Sequence, residues 1–581
     1  MNVDIQKTIP ENFFLAAEKH GKKKALKYKR GDVYYSISFK KLVSRIKIAA
    51  KSFRALGIKP GDRVAILSSN RPEWVITDMA VMSCGGVTVP IHTNLSPKII
   101  SHVLNHSEAE IVVVSDLNLL IKIFVFQKKL KSLKKIIFLG DIDRDSKSIS
   151  AVDILDWQKF IELGKDYEFI LEKTNPEDVC SIIYTSGTTG LPKGVQLTHL
   201  NFLSNVSAIS KAVYSGPGDT FLSFLPLSHV LERTAGYYTA ILFGSCIVYA
   251  KSHKELPQAL KEAKPTILIS VPRIFEKTFD AIWDRVNQSK GFSHRIFLWA
   301  LKQDSCGWNH FIADFLVFKK IRKKMGGHLR FAVSGGASLD AKIAKFFLKI
   351  GIVILEGYGL TETAPMVSVN SENDYKFGTV GKIADGVQVK ISEDKEILVK
   401  GPNVMVGYYK DEKETSLAID EDGWLHTGDI GFVDLEGRMT ITGRKKEMIV
   451  TSGGKNVWPA VIEHELNWDR FVSQSMVIGN RRKFISALIA PDWSEVDAWR
   501  KEQSLSLVTP EELLENPKIR ELFQARLEKI NLALADHEKI RNFCLLVDDF
   551  SQDKDEITPT LKLRRHIIES HYQKEIEEMY K

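Results

Sequence analysis

The sequence predicts an α/β fold divided into at least two domains, and three observations carry that prediction. From residue 60 onward, short β-branched runs alternate with stretches of helical periodicity, at 63–67, 110–114, 135–139, 179–184, 221–225, 245–249, 266–271, 329–334 and 351–355. Strands that return in this way with helices between them are the pattern of βαβ units and mostly parallel sheets. The second observation is a change of texture between 377 and 444. Here the strands shorten and turns such as Gly378-Thr379-Val380-Gly381, Lys400-Gly401-Pro402-Asn403 and Asp434-Leu435-Glu436-Gly437-Arg438 separate them, which predicts a small barrel-like subdomain. The third is length: 581 residues exceed one compact core of the usual ~100 to 200.

After Thr442-Gly443-Arg444-Lys445-Lys446 the pattern becomes compact α+β. We expect a strand at 448–451, a helix from about 461, strands at 474–478 and 485–490, a charged helical stretch over 510–540 and a polar tail. The expected boundaries are therefore 1–444 for a large N-terminal domain, with the β-rich subdomain at about 377–444, and 445–581 for a small C-terminal domain. Neither an internal repeat nor a long Pro/Gly/Ser linker separates them.

Composition excludes several classes. Hydrophobic residues at 44% and charged residues at 26% are globular values. The net charge of +9 is too dilute over this length for a nucleic-acid binder. Residues 445–581 hold 21 Lys+Arg and 24 Asp+Glu, so of the 81 and 72 in the whole chain the first 444 residues keep 60 and 48, a net of +12. Cys84, Cys180, Cys246, Cys306 and Cys544 are scattered without a CxxC pair, which reads as reduced thiols in a cytoplasmic protein. The N-terminus carries Asp4 and Glu11 and lacks the apolar core of a signal peptide. The longest uncharged run, 234–250, falls short of the ~20 residues of a bilayer span. It reads as a buried helix that turns at Gly244 into the strand at 245–249.

The most informative stretch is Tyr184-Thr185-Ser186-Gly187-Thr188-Thr189-Gly190-Leu191-Pro192-Lys193-Gly194. It follows a predicted strand and precedes a predicted helix at 201–214. Glycines let the main chain approach an anion, the Ser and Thr hydroxyls donate to it, and Lys193 adds a positive charge. The order of a Walker A loop is absent. A bare Gly/Ser/Thr run is as readily a surface loop of turn residues, but eleven residues in this order resemble the phosphate-loop signature of the adenylate-forming superfamily. That superfamily includes acyl-CoA synthetases, peptide-synthetase adenylation domains and luciferases.

The resemblance runs over nearly the whole chain. Glu356-Gly357-Tyr358-Gly359-Leu360-Thr361-Glu362-Thr363 resembles the family's nucleotide and magnesium segment, and Asp422-Gly423-Trp424-Leu425-His426-Thr427-Gly428-Asp429 its ribose segment. Gly443-Arg444-Lys445-Lys446-Glu447 resembles the hinge, and Thr558-Pro559-Thr560-Leu561-Lys562-Leu563-Arg564-Arg565 the segment carrying a catalytic lysine. The resemblance implies attack of a carboxylate on the α-phosphate of ATP, then acyl transfer to a thiol. It implies that Glu362 holds Mg²⁺, that Thr361 meets the α-phosphate, that Tyr358 stacks on adenine, and that Gly336 and Ala337 leave room beside the base and the acyl chain. It further implies that Asp429 and Arg444 bind the ribose and that Lys562 acts at the α-phosphate. The C-terminal domain is then mobile and turns about Lys446, bringing Gly453 and Gly454 to line a pantetheine tunnel. Trp458 departs from the usual small residue before Pro459; its indole either narrows that tunnel or packs on the small domain.

Residues 221–233, 270–277 and 331–339 resemble the long-chain acyl-CoA synthetase branch, with His229 bordering the carboxylate and the acyl tunnel. The implied substrates are a fatty acid, ATP and CoA; an acyl carrier protein is the alternative acceptor. A non-catalytic sensor would have lost Lys193, Glu362, Asp429, Arg444 or Lys562, and all are kept. Residues 308–324 repeat apolar residues at helical spacing and end in a basic cluster. A buried helix with a solvated end is the favoured reading of that segment, and contact with the inner face of an anionic membrane is the alternative.

Overall fold

The computed structural model describes residues 3–140, 152–185, 191–250, 255–289, 291–303, 307–505, 509–514, 516–551, 553–558 and 563–581. The chain forms two compact units. One comprises Met1–Lys390, Leu398–Thr427 and Val433–Thr440, the other Ile391–Ile397, Gly428–Phe432 and Ile441–Lys581.

The first unit is built on two large, mostly parallel sheets, as the βαβ pattern predicts. One has nine strands in the spatial order Lys382–Ile383, Met366–Val369, Val353–Gly359, Phe331–Ser334, Ile267–Ser270, Thr220–Ser223, Cys246–Tyr249, Lys24–Arg30 and Val33–Ser38. The other has eight, in the order Gly407–Tyr408, Lys193–Thr198, Val179–Thr185, Val87–Ile91, Arg63–Leu67, Ile111–Val114, Lys135–Phe138 and Asp153–Asp156. The apolar runs of the sequence are the strands of these sheets, and they are buried because helices cover them. Val64, Ala65, Ile66 and Leu67, for example, are all fully inaccessible. The uncharged run behaves as expected: Glu232–Tyr238 is a wide helical turn, Thr239–Leu242 is α-helical, and Gly244 at φ +78° redirects the chain into Cys246–Tyr249. No helix among the described residues is long and apolar enough to cross a membrane.

Arg233, wholly buried, ties elements of the two sheets together. It pairs with Asp78 on the helix Pro72–Ser83 and donates to Thr88 Oγ1 and Ser181 Oγ, both at 2.6 Å, and to the Tyr238 hydroxyl at 2.9 Å. Tyr238 in turn donates to Asp78 Oδ2 at 2.9 Å. All three guanidinium nitrogens donate, which is what allows a charge to sit in an apolar interior. Removing one partner would leave the other charge buried and cost about 3–5 kcal/mol.

The second unit holds a three-stranded sheet of Val472–Ile478, Ile485–Pro491 and Ile540–Leu545. The helices Pro459–Asn467 and Pro517–Asn531 pack on one core, which contains Ile462, Leu466, Ile519 and Phe523. The polar tail expected at the C-terminus is instead two helices, Arg565–His571 and Gln573–Met579. Their charged residues face outward while Ile568, Ile576 and Met579 enter a second core with Met476 and Leu488. Three apolar anchors suffice to hold helices this short, which is why composition alone concealed them.

Candidate active site

The loop expected to bind phosphate caps a β-hairpin. Val179–Thr185 and Lys193–Thr198 run antiparallel, with Thr185 opposite Lys193. Thr185 and Lys193 therefore flank the loop; Ser186, Gly187, Thr188, Thr189 and Gly190 lie outside the described residues. After this loop the sequence predicts a helix at 201–214 and no element between the two. A strand intervenes, and the helix His199–Ala212 begins at a capping box in which Thr198 and Asn201 satisfy each other's backbone. The capping box already serves donors of that helix terminus.

Helix Pro97–His106 props the hairpin from below, a role not foreseen from the sequence. His106 Nδ1 shares a 2.8 Å hydrogen bond with the Tyr184 hydroxyl, and His102 Nε2 lies 3.2 Å from the Pro192 carbonyl. The two imidazoles stack at 5.4 Å, one turn apart. Burial, first, and the nearby His102 hold His106 below the usual histidine range, so the ring is neutral under the hairpin.

Lys193 pairs with the Glu414 carboxylate, and its ammonium lies 5.2 Å from the centre of the Tyr408 ring. The Tyr408 hydroxyl donates to Glu362 Oε1 at 2.9 Å. The phosphate-loop lysine and the glutamate expected to hold magnesium are thus joined through one aromatic side chain. Glu362 lies in the short turn Thr361–Thr363, just after the strand Val353–Gly359, and its carbonyl accepts from Met405 N at 2.9 Å. Gly359 permits this turn: a Cβ there would lie 1.7 Å from the Pro365 carbonyl oxygen. The turn is held from behind by Asn205, which donates to the Thr363 carbonyl at 3.0 Å and accepts from Met366 N at 2.7 Å. Among the described residues no cluster of three or more His, Cys, Asp or Glu could hold a metal. A single carboxylate fits Mg²⁺, which binds through one or two carboxylates together with substrate phosphate oxygens.

Glu356, two residues before Tyr358, is buried; its Oε2 accepts from Leu339 N at 3.2 Å. Burial raises its pKa to about 7. It pins the segment bearing Gly336 and Ala337, both exposed, to the neighbouring strand. Gly357 and Tyr358 pair with Val369 and Ser368. Ser334 Oγ, at the end of the adjoining strand, is buried without a hydrogen-bond partner.

His229 lies in the loop after the strand Thr220–Ser223. Asn70 fixes that loop, donating to Ser223 Oγ and the Leu225 carbonyl and accepting from Leu227 N. The half-buried His92, whose pKa is pushed down to about 4 by desolvation, shares a 2.7 Å hydrogen bond with Ser228 and lies 6.2 Å from the His229 ring. Neither Asn70 nor His92 was singled out from the sequence, because their partners lie more than a hundred residues away.

In the second unit, the two residues expected at the ribose are brought together: Arg444 Nε donates to Asp429 Oδ1 at 2.9 Å. Behind them Glu396 accepts from Gly428 N at 2.9 Å and, with Asp394, pairs with Lys445. Lys446 follows, exposed. Trp458 packs within this unit. Its indole packs on Gly443, where a Cβ would lie 2.5 Å from the ring. Gly453 and Gly454 lie in the exposed turn between Ile449–Val450 and Asn456–Val457, with no backbone or side-chain atom closer than 3.9 Å to where a Cβ would stand. Lys562 lies outside the described residues. Its flanks are fixed by the bridge between Ile557 and Leu563 and by Arg565, which pairs with Glu463 at 2.5 Å.

The chain resembles known proteins over nearly its whole length. A family model described as "AMP-binding enzyme" matches residues 13–409, and one described as "AMP-binding enzyme C-terminal domain" matches 446–581. The chain is 35% identical over 576 residues to the long-chain-fatty-acid--CoA ligase FadD15 of Mycobacterium tuberculosis, covering 94% of this chain and 93% of that one. It is 31% identical to the human long-chain-fatty-acid--CoA ligase ACSBG1, covering 99% and 85%. In fold it resembles the adenylation domain of a carboxylate reductase from Mycobacterium chelonae (TM-score 0.82, 20% identity, covering 99% and 91%). It also resembles ATP-bound MatB from Rhodopseudomonas palustris (TM-score 0.72, 23% identity, covering 99% of each chain).

Proposed function

The chain belongs to the AMP-binding enzyme family, and from that premise we propose that it is an AMP-forming long-chain fatty acid:CoA ligase. The fatty carboxylate attacks the α-phosphorus of ATP; a new oxygen–phosphorus bond forms, the bond to the β-phosphate bridge breaks, and pyrophosphate leaves. The thiol of CoA, as thiolate, then attacks the acyl carbon and AMP departs. An acyl carrier protein is the alternative thiol.

The observation that carries the reading is the pairing of Lys193 and Glu362 on either side of Tyr408. Two anions must be brought together in the first step, so catalysis rests on positioning and on charge placed where the phosphates sit. Lys193, released from Glu414, neutralises phosphate oxygens. Glu362, oriented by Tyr408, is the residue that would hold Mg²⁺, which when bound supplies positive charge to the phosphates. Asp429 accepts hydrogen bonds from the ribose hydroxyls, and Arg444 keeps its carboxylate aimed. Thr185, Ser186, Gly187, Thr188, Thr189 and Gly190 supply donors to the phosphates, with Thr361 beside them and Tyr358 against adenine. Gly336 and Ala337 give the base and the acyl chain room, and His229 borders the carboxylate. Lys562 contributes a flexible charge at the α-phosphate; Gly453 and Gly454 give the pantetheine arm room.

Exchange of labelled pyrophosphate into ATP tests the reading. It is expected to depend on an added fatty acid, and its absence with every acid from six to twenty carbons would overturn the proposal.

A further inference from the structure

Glu232 stands three residues after His229, at the start of the wide helical turn Glu232–Tyr238, a form of helix that recurs at functional sites. It is 1% exposed, its Oε2 has no hydrogen-bond partner, and no ion pair reaches it among the described residues. The residues that follow are committed elsewhere: Arg233 is taken by Asp78, and Thr234 Oγ1 donates to the Ala364 carbonyl at 3.0 Å. The turn is therefore pinned and cannot slide to bring the carboxyl to water or to a cation. The carboxyl lies over its own turn, where a Cβ on Gly236 would stand 2.8 Å from it, so only glycine leaves it room.

Two hydroxyls face this carboxyl. That of Ser223 is the one hydrogen-bonding group that favours its ionised form. Tyr249, the register partner of Ser223 on the adjoining strand, has a buried hydroxyl without a partner, and Glu232 heads the charges acting on it, ahead of Glu73. On the other elements packed here, Asp78 is engaged by Arg233, burial holds His199 neutral, and burial pushes the Cys246 thiol up to about 11. No cation offsets a charge at Glu232. An unpaired carboxylate is too costly in such a site, so the group is the neutral acid, and burial accordingly raises its pKa to about 8.

Ser223 carries the contact onward. Its Oγ accepts from Asn70 Nδ2 at 3.0 Å, which leaves its own proton for Glu232. Asn70 also donates to the Leu225 carbonyl at 2.6 Å and accepts from Leu227 N at 3.0 Å. His229 N donates to the Pro226 carbonyl at 2.9 Å, and Arg233 N to the His229 carbonyl at 3.0 Å, so the loop returns to the turn that bears Glu232.

We propose that Glu232 is a positioning residue for the reacting carboxylate: held as the neutral acid, it fixes, through Ser223 and Asn70, the loop that presents His229. The proposal rests on the ligase reading, in which His229 borders the fatty carboxylate. Ionisation leaves an unpaired charge in the interior, which the site relieves by opening to water and releasing the loop.

Fatty-acid-dependent exchange of pyrophosphate into ATP, measured without CoA across pH, tests it together with NMR of the same proteins carrying labelled histidine. In the wild type, kcat/KM for the acid should fall ~10-fold between about pH 7 and pH 9 as the protonated fraction falls, with KM for ATP unchanged. Glu232→Gln, neutral at every pH and still a donor, should match the wild type at about pH 7 and vary by less than ~2-fold over this range. Glu232→Ala should be slow throughout. In a Ser223→Ala background, Glu232→Gln should no longer alter the profile. The His229 ring signal, assigned with His229→Gln, should shift around pH 8 in the wild type and stay in place in Glu232→Gln. A flat wild-type profile, a Gln variant that keeps the wild-type decline, or a His229 signal indifferent to Glu232 would overturn the proposal. Absence of exchange from every form would remove the ligase reading, and the His229 signal would still decide whether Glu232 sets the loop.

Discussion

Tyr408 donates its hydroxyl hydrogen bond to Glu362 at 2.9 Å while the face of its ring receives the ammonium of Lys193 at 5.2 Å. One side chain therefore orients both charges to which the proposed adenylation assigns the phosphates and Mg²⁺. A hydrogen bond to a carboxylate contributes about 1.5–3 kcal/mol, so Tyr408→Phe should slow pyrophosphate exchange by ~10- to 100-fold while leaving the cation–π contact. Tyr408→Ala, which removes both, should slow it further. Equal rates for Phe and Ala would show that the ring does nothing for Lys193.

Glu414 occupies Lys193 in the structure, and in the proposed reaction ATP takes its place. Both side chains are about one-third exposed, so the pair is worth no more than about 1 kcal/mol. Glu414→Gln is expected to lower KM for ATP by up to ~5-fold with little change in kcat, the difference shrinking at high salt. A raised KM would mean that Glu414 positions the lysine instead of competing for it.

Glu356 ties stability to pH. Burial raises its pKa from 4.5 to about 7, so between those values the folded chain holds a proton that the unfolded chain has lost. The contribution is fully present below about 4.5, falls as pH rises through this window, and is gone above about 7. The span corresponds to about 3 kcal/mol. Glu232, raised to about 8 by burial, acts in the same direction and extends the decline upward. Glu356→Gln should flatten the denaturation midpoint between pH 5 and 7 relative to the wild type; parallel pH curves would contradict the assignment.

Gly443 and Gly453 separate a packed glycine from an open one. A methyl group at Gly443 meets the Trp458 ring at 2.5 Å, and the overpacking should destabilise by about 1–3 kcal/mol. At Gly453 no atom lies within 3.9 Å, so alanine there should unfold within about 0.5 kcal/mol of the wild type. Thermal unfolding of Gly443→Ala and Gly453→Ala reads the contrast, and equal losses would remove Trp458 from its place against the hinge segment.

The sheets were legible wherever a strand is a β-branched run, as at 111–114 or 267–270. Val87–Ile91 escaped because it contains Pro90, which ordinarily disqualifies a central strand. It is tolerated here because the pairing with Val179–Thr185 is confined to Thr88 and Ser181. Lys193–Thr198 escaped because its lysine and glycine belong to the loop motif and masked the alternation that follows. In the site, Lys193, Glu362, Asp429 and Arg444 could be read from local motifs. Asn70 and His92, which hold the loop of His229, and His102, His106, Asn205 and Tyr408, which hold the hairpin and the Glu362 turn, act across long sequence separations and carry no local signature. Trp458 could be seen as unusual from the sequence, but the direction of its ring could not.

The central claim is that this chain joins a long-chain fatty acid to CoA through an adenylate. Quantifying products from ATP, Mg²⁺, a long-chain fatty acid and CoA, with acyl carrier protein in a parallel reaction, tests it most directly. The account predicts one AMP and one pyrophosphate for each acyl-CoA formed, no turnover without the acid, and loss of product in Glu362→Gln and Lys562→Ala. Release of ADP, or nucleotide turnover indifferent to the acid, would contradict it.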